Sequence, residues 1–467
     1  MLEMKNIKLI KVRIAEKRHK KKLRRRRKKS GFKHVFNRTS ERNYEDAARI
    51  KHDLLSDNLR YISDNPKTKL LKHALFFRSG LSKLKVIKVP KIFSLVDNSE
   101  ESYKFIEEVI NCIYHNRVRK LRLDYSQCEV IHLGAQVYLD VLLKEIFVYA
   151  KTLASRFKNH SLLENVRSIN VENENVDKLL YSIGSFAIHT NEGKDFDDII
   201  PYQLCEFRKK KSSDPLFNIE TKERHVTDMV QYVMDSVNRV GKQLSPDSIE
   251  SLSIIIGEVL INAEEHSTNN HRFSIGYFQE HNGNKKHYGI FNLTILNFGH
   301  TIYDSFKNEN CPRKDIVSKM NELSKYYTSN KLFSSSIKEE TLWTLYALQE
   351  EITSVSPEKN IKRGNGSIKF IENFFNLKGS GKKSDKISRL AVLSGNASIV
   401  FDGKYGIGEK IKINEKTGEE EKFQVMTFND SGNISDKPDK NYVKFVKNHF
   451  PGTIISAQIL ISKDDIV

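Results

Sequence analysis

Cysteine is scarce in this chain. Four residues (Cys112, Cys128, Cys205, Cys311) are scattered among 467, without C-x-x-C spacing. That argues against a disulfide-held fold and against a cysteine zinc site, and it points to reduced thiols in a cytoplasmic setting. Long apolar runs are missing too. No stretch approaches the ~18 residues a spanning helix needs, so no membrane span is expected. The chain opens on positive charge with no apolar segment after it, which is not the pattern of a signal peptide. The same segment is dense in lysine and nearly free of serine, a poor match for an organellar transit peptide.

Acidic residues are also nearly absent from the first 34 positions. Sixteen Lys and Arg stand there against Glu3 and Glu16, a net charge of +14, so the other 433 residues carry only +5 of the chain's +19. Such a block repels itself and has little to bury, so residues 1–34 are expected to be a disordered basic tail. On a phosphate backbone it would release counterions and give salt-sensitive, sequence-independent affinity. Three uses stay open: an arm for nucleic acid, a contact with anionic membrane, or a solubilising tail. The remainder, with 38% hydrophobic and 29% charged residues, is long enough for two or three domains with cores.

Residues 35–85 read as a helical linker, interrupted at Asn65-Pro66. From 86 to 190 strands alternate with helices: strands near 86–89, 121–125 and 167–171, helices near 99–115, 134–154 and 176–183. This alternation argues an α/β unit with helices packed on a sheet. Residues 191–222 read as a second linker carrying the basic run at 208–211. A helix over 225–244 then leads into the most informative stretch, 245–267. Ser245 is placed to cap a helix whose first residue is Pro246. Leu252, Ile255, Ile256, Val259 and Ala263 make its apolar face. Glu258, Asn262 and His266, at successive i+4 steps, line one polar stripe. A carboxylate, an amide and an imidazole so arranged suit a metal-bound phosphate, with the amide oxygen on Mg²⁺ and the carboxylate orienting an attacking hydroxyl or water.

The pattern Glu258-x-x-x-Asn262-Ala263-x-x-His266 resembles the first box of the GHKL ATP-binding superfamily, the fold shared by histidine kinases, gyrase, heat-shock chaperone ATPases and anti-sigma-factor kinases. Three further segments follow in the order that superfamily requires. Residues 291–302 read as a strand running into Asn297-Phe298-Gly299-His300-Thr301. Arg363-Gly364-Asn365-Gly366 opens a helix, with glycines where backbone N–H groups must approach phosphate. A closing strand pair, 388–401 and 451–461, begins its second member with Pro451-Gly452-Thr453. The resemblance covers residues 223–467 and implies an α+β sandwich that binds ATP with Mg²⁺. It implies Glu258 as the catalytic carboxylate and Asn262 as the metal ligand. It implies His266, Asn297, Gly299, Thr301, Arg363, Gly364, Gly366 and Thr453 around the nucleotide. Two departures stand out. The base-reading aspartate of the superfamily falls on Asn297, whose amide can accept or donate, so base preference is open. A glycine of the second box is Thr301. Between the second and third boxes, residues 303–340 read as a lid in which Lys314, Lys319, Lys325, Lys331 or Lys338 could reach phosphate.

Residues 121–136 are similar to the core of a STAS domain, the fold of anti-sigma-factor antagonists. The regulatory serine of those proteins falls on Gly134, which implies the phosphorylation switch is missing; Ser126 is the nearest hydroxyl. No histidine has the helical setting of a phosphoacceptor, so autokinase activity is not expected. The leading expectation is an ATP-binding regulator, closest to the anti-sigma-factor kinases and coupling nucleotide state to a protein partner through the STAS-like domain, or to nucleic acid through the tail. The rival is a non-catalytic, nucleotide-gated nucleic-acid-binding protein, with a bacterial defence system as its setting.

Overall fold

The computed structural model describes residues 49–72, 82–115, 118–156, 163–186, 194–209, 215–283, 286–329, 338–349, 366–413 and 420–463, with isolated positions at 14, 16–19, 21 and 352. The architecture is mixed α/β. Arg363 and Gly364 and most of the basic tail lie outside the described residues. The positions described within the tail are helical rather than disordered, and Glu16 lies 3.8 Å from Lys51 in an ion pair.

The first body is built on a parallel sheet, β1 (Ser82–Lys88), β3 (Val118–Asp124) and β5 (Asn165–Ile169), in the order β1-β3-β5. Parallel neighbours need crossovers, supplied by α2 (Ser99–Tyr114) and α3 (Leu133–Arg156). A short parallel pair, β2 (Ile92–Phe93) with β4 (Val130–Ile131), lies beside it, and α4 (Glu174–Ser182) follows β5. Helix α2 buries Phe105, Ile106, Val109, Ile110 and Ile113, spaced as one apolar face. Helix α3 buries residues all round, from Val137 to Ile146. That is the mark of a helix covered on both sides.

What covers its second side is a five-stranded antiparallel sheet. Its strands are β6 (Ile199–Arg208), β7 (Ser267–Gly283), β8 (Lys286–Gly299), β9 (Arg389–Phe401) and β12 (Val443–Ser462), in the order β6-β7-β8-β12-β9. One face (Phe273, Ile275, Leu296, Phe298, Leu393, Phe450, Ile454) merges with the core of the first body. Tyr138 of α3 packs there with its ring 4.9 Å from Phe450. The other face (Phe278, Phe291, Leu293, Ile295, Val392, Ile459, Ile461) forms a second core with α5 (Pro215–Arg239), α6 (Pro246–Glu265), α9 (Glu339–Ala347) and α10 (Gly366–Asn376). Both faces are covered, and successive apolar residues along each strand enter the two cores in turn. At the seam, a Cβ on Gly134 would run into Ser456 of β12.

Several expected boundaries move. The 35–85 linker contains α1 (Asp57–Asp64), which buries Leu59 and Ile62 completely. Asn58 ties it down: its amide donates to Glu145 (2.7 Å) and meets His271 Nδ1 (3.0 Å), while Thr268 donates to its oxygen (2.6 Å). The 191–222 linker supplies β6, an edge strand, and the first residues of α5. Pro201 within β6 is tolerated because an edge strand has one side without ladder bonds. The stretch expected as a lid holds α7 (Ile302–Lys307), α8 (Lys314–Ser329) and the start of α9, and it buries Phe306, Cys311, Ile316 and Met320. Its side chains complete the core. After β9, β10 (Gly408–Ile413) pairs antiparallel with β11 (Glu420–Val425), and α11 (Lys382–Ile387) precedes β9.

Candidate functional site

The site is set by how α6 meets the sheet. Ser245 caps α6 by accepting from the Ser248 N–H (3.2 Å), with Pro246 in the first turn, and Leu252, Ile255, Ile256, Val259 and Leu260 bury against the strands. Glu258 and Asn262 stay on the outward side, half-exposed and exposed respectively. The Asn262 side chain makes no hydrogen bond among the described residues. His266 leaves the stripe. It is the C-cap of α6, where its backbone N–H donates to the Asn262 carbonyl, and its Nδ1 meets Ser305 Oγ at 3.2 Å. Burial lowers its pKa, so the imidazole sits neutral in the seam.

Gly299 brings the end of β8 against the end of α6. Its φ is +154°, and a Cβ there would collide with the His266 carbonyl and the Ser267 backbone. The next residue closes the junction, with His300 N–H donating to His266 O at 2.9 Å. Thr301, whose counterpart in the resemblance is a phosphate-loop glycine, is instead the N-cap of α7. Its hydroxyl accepts from Asp304 N–H (3.0 Å) while Asp304 accepts from its own N–H (3.3 Å). Gly366 is the first residue of α10, which packs against α6. The structure thus places Asn297 beside Thr453 in register, with Gly299 two residues further on, leaves Asn262 on the outward side of α6, and gives His266 and Thr301 structural bonds.

A single transverse row of side chains runs across all five strands at this corner. Phe207 on β6 pairs in register with Arg272 on β7, Arg272 with Asn297 on β8, Asn297 with Thr453 on β12, and Thr453 with Ser394 on β9. Register partners on a pleated sheet point to the same face. Asn297 lies two residues beyond Ile295, so this row faces the helical layer and α6. Further along this face Phe278, Phe291, Leu293, Ile295 and Val392 are apolar, with Ser274 bonded to the Tyr202 hydroxyl between them; the row itself carries Arg272, Asn297, Thr453 and Ser394. Thr453 Oγ1 and Ser394 Oγ are 2.9 Å apart, and Ser394 accepts from Ile302 N–H at 2.8 Å.

Among the described residues, three donors in this row are buried without an acceptor: Arg272 Nε and Nη1, and Asn297 Nδ2. Arg272 is 1% exposed and Asn297 2%. The guanidinium lies 5.2 Å from the centre of the Phe207 ring. Burial pulls its pKa down against the attraction of Glu264. Glu264, on the inner side of α6, is 3% exposed; its Oε1 pairs with Lys222 at 2.8 Å, and its Oε2 has no partner among the described residues. Buried polar groups are paired in the great majority of cases, and each orphan costs ~1–3 kcal/mol. Arg272, Glu264, Phe207 and Ser394 were not singled out in the sequence. The available signal was an arginine and a glutamate each at a position that faces a core. For Arg272 that position depends on register, which an irregularity between Ser267 and Arg272 shifts.

An opening lies between the two bodies, lined by Ser94, His132, Gly134, Thr294, Arg389 and Ser456 among others. Ser94, His132 and Asp97 cluster there, with His132 Nδ1 2.7 Å from Ser94 Oγ and 3.2 Å from Asp97. This is not a nucleophile with its base. Arg389 reaches in to bond Asp97 (2.9 Å) and His132 Nε2 (2.8 Å). Burial and that guanidinium push the His132 pKa down to about 4, too weak a base to take a serine proton at neutral pH. The cluster clamps the bodies together.

Among the described residues, no group of three His, Cys, Asp or Glu is placed to hold a metal ion. A cation here would rest on Asn262 and the oxygens of its ligand, which is how Mg²⁺ is held beside phosphates. Comparison with protein-family models, with curated proteins and with solved structures finds no match for this chain.

Proposed function

We propose that the corner between α6, β8 and β12 binds a nucleoside triphosphate with Mg²⁺, ATP in the GHKL superfamily the sequence resembles. On this reading the chain is a regulator that couples nucleotide state to a protein or nucleic-acid partner. The observation that carries the proposal is the buried polar row facing α6, with the Asn297 amide at its centre, orphaned among the described residues, and the exposed Asn262 on that helix. The residues present fit the group. Asn297 and Thr453 face the base side, and Asn262 offers an amide oxygen to the metal. Glu258, one turn earlier on the same helix, can take a proton from water or from a hydroxyl. When bound, the nucleotide would supply a terminal phosphoryl group for hydrolysis or transfer. The first body, STAS-like in its resemblance, is the surface offered to a protein partner.

Glu258→Gln tests the catalytic half of this reading. The amide keeps the shape and loses the proton acceptor, so nucleotide affinity should hold while phosphate release or transfer falls by roughly 10²–10⁴-fold. A variant that turns over as fast as the parent removes Glu258 from the chemistry. A parent with no turnover, and a variant that binds identically, supports the second reading, a nucleotide-gated nucleic-acid binder. The +14 charge of residues 1–34 favours that reading.

A further inference from the structure

Away from the polar row, a cation site is built where the end of β9 meets the start of β12. Tyr405 lies in the turn after β9, and Tyr442 immediately precedes β12. Their rings stand at 90° with centres 5.3 Å apart, so they form two walls of a corner. Asp439 makes the third wall, its carboxylate accepting from the Tyr405 hydroxyl at 3.0 Å. The Lys404 ammonium occupies the corner, 4.7 Å from the centre of the Tyr405 ring, 5.1 Å from that of Tyr442 and 3.2 Å from Asp439 Oδ2. Two aromatic rings and a carboxylate around one cation are what an aromatic cage offers to a methylated ammonium group.

The walls are held by bonds that do not involve the lysine. The Tyr442 hydroxyl donates to Asp402 (3.0 Å), and its carbonyl accepts from Val400 N–H (2.9 Å). Asp439 accepts from Asn441 N–H on its other oxygen (2.8 Å), and its own N–H donates to the Phe428 carbonyl (2.6 Å). Phe428 is buried and packs against both tyrosine rings, with centres 5.9 and 6.2 Å away. The Lys404 side chain, by contrast, is 51% exposed, whereas that of Asp439 is 19% exposed. Lys404 follows Gly403, whose φ of +93° turns the chain back toward the corner.

We propose that Tyr405, Tyr442 and Asp439 form a site for a methylated ammonium group, with Lys404 as its resident plug; the inference stands apart from the nucleotide reading. A primary ammonium is compact and strongly hydrated, so it gives up much hydration to lie against the rings. A quaternary ammonium gives up less and meets both rings with its methyl groups. Lys404, tethered beside the site, competes as an intramolecular ligand, and the incoming group displaces it into solvent. The same chemistry is carried by a trimethylated lysine side chain and by choline.

Calorimetric titration of the full chain tests this, on the unaltered protein and on Lys404→Ala, or on Lys404→Gln should alanine unsettle the turn. The probes are choline and an Nα-acetylated trimethyllysine amide, with the uncharged tert-butyl analogue of choline as control. Both ammonium probes should bind the Lys404 variant saturably and bind the unaltered chain more weakly, because the plug competes. The tighter of the two identifies the source, a modified protein or a small molecule. In the Lys404 variant, Tyr442→Ala should weaken binding by about two- to fivefold, the loss expected of one ring at an exposed site. Asp439→Asn keeps an acceptor for Tyr405, removes the charge and should weaken binding too; it is the second variant should Tyr442→Ala not fold. Absence of saturable binding to a Lys404 variant with unchanged melting overturns the proposal. So does a neutral analogue that binds as tightly as choline, and so does equal affinity in the unaltered chain and the Lys404 variant.

Discussion

Asp140 shows most plainly how single residues report on this fold. It lies on α3, accepts from Ser185 Oγ at 2.9 Å, and burial raises its pKa to about 7 even though Gln136 and Ser185 bonds pull the other way. An unfolded aspartate titrates near ~4. Between those values the unfolded chain gives up a proton that the folded chain keeps. Stability should therefore fall as pH rises from about 4 to about 7 and level off above. Asp140→Asn removes the charge and keeps the shape. It should stabilise the protein by ~1–3 kcal/mol at pH 8 and by almost nothing near pH 4, read from urea unfolding at the two pH values. An equal gain at both would mean that the carboxyl is solvated. Glu206 goes the other way. The hydrogen bond with His271, reinforced by Lys144, holds its pKa at about 2, so its contribution is present above the ordinary carboxylate range and lost as pH drops toward 2.

At the scale of elements, the junction of α6 with β8 is the point on which the candidate site depends. Gly299 permits the close approach of the His266 carbonyl, and backbone atoms there cannot swing aside as a side chain would. Gly299→Ala should cost ~2 kcal/mol or more and weaken nucleotide binding along with stability. Thermal melts and binding isotherms that match the parent would show the junction to be more yielding than its geometry implies. This same helix was the most legible element in the sequence. Ser245, Pro246 and the spacing from Leu252 to Ala263 carry its start and its faces, because capping and periodicity are local. The strand pair read at 388–401 and 451–461, and the strand–helix alternation of the first body, were legible for the same reason, although the last strand begins earlier, at Val443. Strand β6 was not, since an edge strand containing Pro201 and ending in Arg208 looks like linker until its partner is known. Nor was the docking of α1: the sequence shows that Leu59 and Ile62 are apolar, not what they pack against. The polar row was least legible of all. Asn297 and Thr453 came from motif, whereas Arg272 and Ser394 join them only through register across three strand pairings.

The whole molecule is a five-stranded sheet buried on both faces, with the α/β body on one side and the candidate site on the other. The two sides communicate through short paths. Asn58 and His271 link α1 and α3 to the start of β7, the strand that carries Arg272 and follows the end of α6. Arg389 clamps Asp97 and His132 across the other end of the seam. Such a layout suits a protein in which occupancy of one face is read at the other. The basic arm is a separate matter of charge. Deleting residues 1–34 should remove most nucleic-acid affinity, and binding by the full chain should fall steeply between about 50 and 200 mM salt. A truncated protein that retards DNA or RNA as well as the full chain does would place that activity elsewhere. The central claim is that a nucleoside triphosphate binds at the α6–β8–β12 corner through metal held by Asn262. Its most direct test is calorimetric titration of the full chain with ATP and with GTP, in Mg²⁺ and in EDTA, repeated on Asn262→Ala. The expected result is saturable binding of at least one nucleotide that needs Mg²⁺ and weakens at least about tenfold in a variant whose melting is unchanged, a loss of ~1.4 kcal/mol or more. Absence of saturable binding by either nucleotide, or an Asn262→Ala isotherm that overlays the parent's, would contradict it.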